Sequence, residues 1–484
     1  MKYCHLPMVL SIGLLLGACQ SAPTAPAQPP TQDRTFALLD NIHHHILDNK
    51  MNVIIKEDKR APVVMTQIWY KVGANDEPVG KGGISHFLEH LMFKDTPKVS
   101  GDEFSRLISH YGGTNNAYTN REVTVYHNLL PANRYALALE LEANRMQNIV
   151  FKPEQIASER QVVLEERRVR TDDNPNAKAY EQFFAFVYGN TPRSRPIIGS
   201  TADINNITID DLKQWYQTWY SPQNATLVLV GDVDKDEALT HIKQYFGKLP
   251  NNAQPERPPA LAFVHPDDLS LPKNTTPHRH TTIKAAVQVP SLILAWQVPT
   301  ISSLKITNRF DDKNLRQLMA LGLLDDVLSG GRSSRFMSRL VQKELVNSLN
   351  SHYSTTGYGD TLFIINATPK QGVSLDATKQ LILDELARTL DGDISPDELK
   401  RSQVALKSSL IFGAESVSGQ AQLLGSVHNQ GLPFEHLKQE FELLKSIGSD
   451  EIKQTGKTYL TPQRMYSAYI ISDTSPPSTN TPTP

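Results

Sequence analysis

The sequence predicts an α+β protein of two homologous domains, each an antiparallel-rich sheet with helices packed on one face. Three features of the pattern predict it. Strands alternate with amphipathic helices from 36 to about 250, an aperiodic stretch rich in Pro and Asn follows, and a second α+β pattern runs to about 472. The length of 484 residues exceeds one ordinary domain and suits two or three. Composition is 39% hydrophobic and 21% charged with a formal charge of −2, which excludes a disordered body and an electrostatic grip on nucleic acid. A small or peptide-like partner fits that balance.

The chain opens with Lys2 in a short polar region and an apolar run from Met8 to Leu16, too short to span a bilayer stably, so 1–19 reads as an export signal. Its end, Leu16-Gly17-Ala18-Cys19, resembles the bacterial lipobox, in which the cysteine receives a diacylglyceryl group. An ordinary cleaved signal with an incidental cysteine is the plainer alternative. Cys4 and Cys19 are the only cysteines, so a body cleaved before Cys19 has no free thiol and no internal disulfide. Gln20 in place of Asp resembles outer-membrane sorting. The expected location is therefore the bacterial cell envelope, as an outer-membrane lipoprotein facing the periplasm and held to the membrane by lipid on Cys19. Residues 20–35, rich in Pro and Ala, read as a semi-rigid tether.

The first domain is expected at 36–250. Strands are predicted at 53–55, 63–70 and 122–130, a helix from about 83, another at 132–148, and a long one from Pro153 to about Arg170. The run 225–231 reads as a buried strand. A linker is expected at 251–282, a second domain at 283–472, and a tail without fixed structure at 473–484. The halves read as diverged copies: Lys152-Pro153-Glu154-Gln155-Ile156 aligns with Ser395-Pro396-Asp397-Glu398-Leu399, which sets Glu159 opposite Ser402 and Glu166 opposite Ser409. In that register the second copy lacks the carboxylates. One half would carry chemistry and the other would shape a chamber.

The strongest local signal is His86-Phe87-Leu88-Glu89-His90 on a predicted helix after Gly82-Gly83. Histidines at i and i+4 project from one face a turn apart, so both imidazoles reach one Zn²⁺. Glu89 lies about 60° around the helix from His86, near enough to serve a metal site without being a ligand. The bland alternative is an amphipathic helix with incidental histidines. Glu159 and Glu166, seven apart on the later helix and hence on one face, offer a third ligand of the expected kind. Glu165, Arg168 and Arg170 otherwise suggest a solvated charged face.

These residues resemble the pitrilysin/insulinase family of inverted-motif zinc peptidases, which includes insulin-degrading enzyme and mitochondrial processing peptidase. The family joins H-x-x-E-H to a glutamate some seventy-odd residues on, and here residues 91–165 separate His90 from Glu166. The resemblance implies a mitochondrial-processing-peptidase-like fold, one Zn²⁺ per chain on His86, His90 and Glu166, Glu159 orienting a histidine, and Glu89 as general base for peptide hydrolysis. Gly112-Gly113-Thr114-Asn115-Asn116-Ala117-Tyr118-Thr119 is similar to the family's G-G-x-x-N-A-x-T stretch. It implies an edge strand that takes peptide substrate as an added strand, with Asn116, Ala117 and Tyr118 in contact. A tight glycine turn before a hairpin accounts for the same residues and is compatible with that role.

The sequence departs from the family where an Arg and a Tyr seven residues later normally contact substrate, because Val341 and Ser348 occupy those places. A homologous chain supplying the pair, or a homodimer, is the implied partner. A noncatalytic peptide-binding or scaffold subunit is the competing reading. Arg332 and Arg335, in the Gly330-Gly331-Arg332-Ser333-Ser334-Arg335 turn, are expected to be structural. Lys50 stands where the family commonly has Gly. His43-His44-His45, expected ahead of the first strand, and His278-Arg279-His280, expected in the linker, are not assigned to a metal.

Overall fold

The computed structural model describes residues 39–252, 257, 279–357 and 359–473. The export signal with Cys19, the tether, most of the linker, His278 and nearly all of the tail lie outside the described residues.

The first half forms strands β1 (Ile42–Ile46), β2 (Asn52–Glu57), β3 (Val63–Tyr70), β4 (Thr114–Thr119), β5 (Thr124–Pro131) and β6 (Ala225–Gly231). Its helices are α1 (Ile84–Leu91), α2 (Glu103–His110), α3 (Tyr135–Asn148), α4 (Pro153–Arg167), α5 (Pro175–Tyr188), α6 (Thr201–Asn206), α7 (Ile209–Trp219) and α8 (Lys235–Phe246). The second half has β7 (Arg279–Ala285), β8 (Ser291–Val298), β9 (Val346–His352), β10 (Thr361–Pro369) and β11 (Tyr466–Ser472). Its helices are α9 (Ile301–Ile306), α10 (Asp312–Ser329), α11 (Leu375–Asp391), α12 (Pro396–Gly413), α13 (Val417–Asn429), α14 (His436–Ser446) and α15 (Ser449–Tyr459).

The sheets run β1-β2-β6-β3-β5-β4 and β7-β11-β8-β10-β9. With β1 set aside the two orders correspond strand for strand. In each, the first pair is parallel and the rest antiparallel. The shared crossover topology is the internal duplication seen in space. The expected Pro153/Pro396 correspondence fits it, since each proline opens a long helix, α4 and α12.

Strand alternation distributes the first core between two faces. Val53, Ile55, Val64, Ile68, Leu227 and Leu229 face one core with Phe87, Leu88 and Leu139 of α1 and α3. Ile54, Met65, Trp69, Val228 and Val230 face the other side, where Ala421 and Leu424 of α13 cover them. The second sheet is treated reciprocally: Ala179, Phe183 and Val187 of α5 cover Ile283, Ile293, Ala468 and Ile470. Each sheet thus has its own helices on one face and a helix borrowed from the other half on the other. Gln420 donates to Asp58 at 2.8 Å and Arg193 pairs with Asp360 at 3.3 Å across this junction.

Some boundaries move. His43, His44 and His45 lie inside β1 rather than before the first strand, because pairing to β2 builds a strand that polar side chains do not advertise. Arg279 and His280 belong to β7, paired in parallel with β11, so the second sheet begins inside the stretch expected to be linker and solvated loop. α4 ends at Arg167, and its continuation to Asp172 is a π-helical turn. Among the described residues no helix is long and apolar enough to cross a membrane.

Candidate metal centre

The centre begins at the buried start of α1. Gly83 caps it at φ 87°, a left-handed conformation that suits glycine, and offers no side chain to the helix's free N–H groups. A Cβ on Gly83 would lie 2.3 Å from the Ile198 carbonyl oxygen. Glu77 takes over the capping, its carboxylate accepting from Gly83 N at 2.7 Å and Ser85 N at 3.0 Å. Burial pushes the Glu77 carboxyl up to about 8 against the pull of these donors.

One turn later His86 and His90 stack along the helix with ring centroids 4.8 Å apart. α4 crosses α1 and brings Glu166 to them: its Oε2 lies 3.2 Å from His90 Nε2 and 3.8 Å from His86 Nε2. Among the described residues these three form the only group of side chains able to share an ion, with ligand atoms within 4.8 Å of one another. Ligand atoms of a tetrahedral zinc at 2.0–2.2 Å sit roughly 3.3 Å apart, so the spacing fits zinc. Burial and the neighbouring His90 lower the His86 imidazole to about 4, leaving a neutral ring with a lone pair to offer. Burial also pulls His90 down, but the carboxylates of Glu159 and Glu166 outweigh it and raise that imidazole to about 9. A cation at His90 therefore displaces a proton.

Around the three, Glu159 accepts from His90 Nδ1 at 2.9 Å and pairs through its other oxygen with Lys94 at 2.7 Å, which fixes the ring and leaves Nε2 to the metal. Arg170 holds the second oxygen of Glu166 at 2.7 Å. Glu89 stands beside the ligands outside their set, mostly buried, and accepts from the Thr119 hydroxyl at 2.5 Å. Burial raises its carboxyl while the Thr119 bond opposes the rise, the direction that suits a group that must accept and return a proton.

His86, Glu89, His90, Glu159 and Glu166 converge. Glu165 points to solvent and pairs with Arg168, as the solvated-face reading expects. Sequence reasoning left Lys94, Arg170, Thr119 and Glu77 without roles. Arg170 follows its partner Glu166 by four residues, a helical spacing that signals it, whereas Lys94 meets Glu159 only through the crossing of α1 and α4. The other two depend on tertiary contacts alone.

Asn116, Ala117 and Tyr118 lie on β4, the edge strand of the first sheet, and Tyr118 hydrogen-bonds Gln422 of α13. Val341 and Ser348 line a cavity of about 740 Å³ between α5 and the second sheet, with Ser348 on its edge strand β9. Arg335 is buried and donates from Nε and Nη2 to Glu398 at 2.8 and 3.0 Å, so its guanidinium is committed to structure.

Comparison with known proteins identifies the family and fold. The model described as insulinase (peptidase family M16) matches residues 52–201, and the model described as peptidase M16 inactive domain matches 206–406. A zinc protease, PqqE, of Helicobacter pylori is 29% identical, covering 78% of this chain and 81% of its own. An uncharacterised zinc protease of Rickettsia felis is 26% identical over 86% and 94%. The crystal structure of a protease from Helicobacter pylori superposes with a TM-score of 0.79 at 27% identity, covering 89% of this chain and 99% of that one. The first half of the periplasmic protease PqqL of Escherichia coli gives 0.72 at 21%, covering 90% and 92%, a likeness of fold. The chain belongs to the insulinase (M16) family of zinc peptidases.

Proposed function

We propose that the chain is a zinc metallo-endopeptidase that hydrolyses short or unfolded peptides, held by lipid on Cys19 to the cell envelope and facing the periplasm. The observation that carries it is the pairing of three convergent ligand atoms with a half-buried carboxylate, Glu89, that is not one of them. A zinc ion, when bound, supplies Lewis acidity that eases ionisation of a water and polarises a peptide carbonyl. His86, His90 and Glu166 hold it, and Glu159 with Lys94 keeps His90 turned toward it. Glu89 takes the proton from the attacking water and returns it to the leaving amine. The exposed edge of β4 offers main-chain groups to an extended peptide at Asn116, Ala117 and Tyr118, which suits a hydrolase of low sequence preference.

The test is hydrolysis of a quenched, unstructured peptide by the full chain, with metal content measured alongside. About one zinc per chain, activity lost on chelation and regained with zinc, and loss of metal in Glu166→Gln are expected. Full metal occupancy in Glu166→Gln removes the third ligand. Cys19→Ser is expected in the soluble fraction, and its recovery with membranes contradicts lipid attachment.

A second reading is favoured by one feature, Val341 and Ser348 where the family resemblance implies Arg and Tyr. The chain would then need a homologous partner, or a second copy of itself, to furnish donors for the developing oxyanion, or would serve as a peptide-binding subunit. Zinc-loaded chain that is inert alone and active with a co-encoded homologue supports the partner. Full activity alone, unaffected by the homologue, excludes it.

A further inference from the structure

We propose that Thr119 is a positioning residue for Glu89, fixing the carboxylate that acts as base and tying its aim to the edge strand that receives peptide. The inference rests on the reading of Glu89 as general base.

Thr119 is the last residue of β4, and its hydroxyl donates to Glu89 Oε2 at 2.5 Å. No other hydrogen bond to the Glu89 carboxylate is present among the described residues, so this contact alone selects the side-chain rotation of a flexible glutamate. The donor's direction is itself set. Thr119 pairs with Thr124 across the β4–β5 ladder, with hydroxyl oxygens 3.3 Å apart. Thr124 spends its proton on the Val72 carbonyl at 3.0 Å, so Thr124 presents a lone pair to Thr119 and the Thr119 proton goes to the stronger acceptor, the carboxylate.

The backbone beneath is rigid. Asn120 Oδ1 accepts from Glu122 N at 2.7 Å and Val123 N at 2.8 Å, and the Asn120 carbonyl accepts from Ala74 N at 3.1 Å. Gly73 packs so closely there that a Cβ would sit 2.5 Å from the Asn120 oxygen. Thr119 is thus clamped on its C-terminal side, and on its N-terminal side Asn116, Ala117 and Tyr118 form the unpaired edge of the sheet. A peptide strand added to that edge pairs with the same strand that ends at Thr119 and the base.

The second half contains the same link without the metal ligands: Ser351 of β9 donates to Asp325 of α10 at 2.5 Å. A hydroxyl-to-carboxylate tether between core helix and edge strand is therefore common to both copies, and Ser351 supplies the control for its purely structural share.

The experiment uses zinc-loaded full chain, a quenched unstructured peptide, and the variants Thr119→Val, Thr119→Ser, Ser351→Ala and Glu89→Gln, with zinc content and melting temperature measured for each. Thr119→Val is expected to keep its zinc and a melting temperature no lower than that of Ser351→Ala, and to lose about 10- to 100-fold in kcat with KM changed less than about threefold, as misaiming a reacting group does. Thr119→Ser is expected to restore most of the rate. Unchanged kcat in Thr119→Val beside an inactive Glu89→Gln overturns this inference alone. So does a Ser variant as slow as the Val variant, or a loss that appears in zinc content, stability or KM instead of kcat. Full turnover by Glu89→Gln removes the base and this inference with it.

Discussion

The helix pair α1/α4 and its counterpart α10/α12 occupy the same place in two sheets of the same strand order, yet one pair gathers a metal site and the other a small cavity. In the first, His90 meets Glu159 and Glu89 meets Thr119. In the second, Asp326 bonds Ser402 and Asp325 bonds Ser351, while Gly322, Asp325 and Ser409 line a cavity of about 440 Å³. By these contacts Gly322 stands for His86, Asp325 for Glu89, Asp326 for His90, Ser402 for Glu159 and Ser409 for Glu166. The helix-to-edge-strand tether is present in both. The ligand-type residues are not, since Gly322, Asp326 and Ser409 stand in the places of His86, His90 and Glu166.

The largest expected effect would break the comparison at its centre. Glu89→Gln is expected to lose roughly 10²–10⁴-fold in peptide hydrolysis while retaining metal, since an amide keeps the shape but cannot accept the proton. Asp325→Asn is expected to leave turnover within about twofold. Equal losses in assays of both would mean that the two carboxylates share a structural role.

The second effect bears on stability of the second half. Buried Arg335 and half-buried Glu398 form a bidentate pair at the start of α12. Arg335→Ala leaves the half-buried Glu398 carboxylate with its Ser395 donors alone, and a loss of about 1–3 kcal/mol in chemical denaturation is expected. The same pair sets an acid limit: Arg335 holds the Glu398 carboxyl down to about 2, below the usual carboxylate range. A depressed carboxyl stabilises above its unfolded value and loses that contribution as pH falls toward about 2. The melting temperature of wild type is expected to fall over that window, and that of Arg335→Ala to fall less. Parallel curves would remove the pair as the cause.

The third sharpens the reciprocal packing. Gly425 of α13 lies against Trp69, where a Cβ would come within 2.5 Å of the indole. Gly425→Ala wedges the borrowed helix off the first sheet and is expected to cost about 1–3 kcal/mol. An unchanged unfolding midpoint would show that the junction yields freely. The smallest concerns a turn with no counterpart in the second sheet: Lys50, between β1 and β2, adopts φ 70°, where the family resemblance expects glycine. Lys50→Gly relieves left-handed strain of about 1 kcal/mol and loosens the unfolded chain by a similar amount, so a midpoint shift of at most a few degrees is expected.

Much of the centre was legible because its residues sit close along the chain in helical register. His86, Glu89 and His90 share one helix, Glu159 and Glu166 another, and both periodicities are readable without knowing how the helices cross. The strands at 63–70 and 225–231 were equally clear, since strands buried on both faces are long apolar runs bounded by turns. The strand at Ile42–Ile46 was not, because its histidines carry no strand signature and the ladder to β2 alone makes it one.

The sequence by itself pointed to the two copies, to His86, His90 and Glu166 as candidate ligands and to the absence of their like from the second copy, because each depends on residue identity at fixed local spacing. Only the tertiary structure decided which helix covers which sheet, that Glu77 caps the metal helix, and that Thr119 reaches Glu89 across thirty positions of chain. Those are contacts between segments whose separation along the chain carries no period. Their geometry is set by how whole layers pack, and no local propensity encodes it.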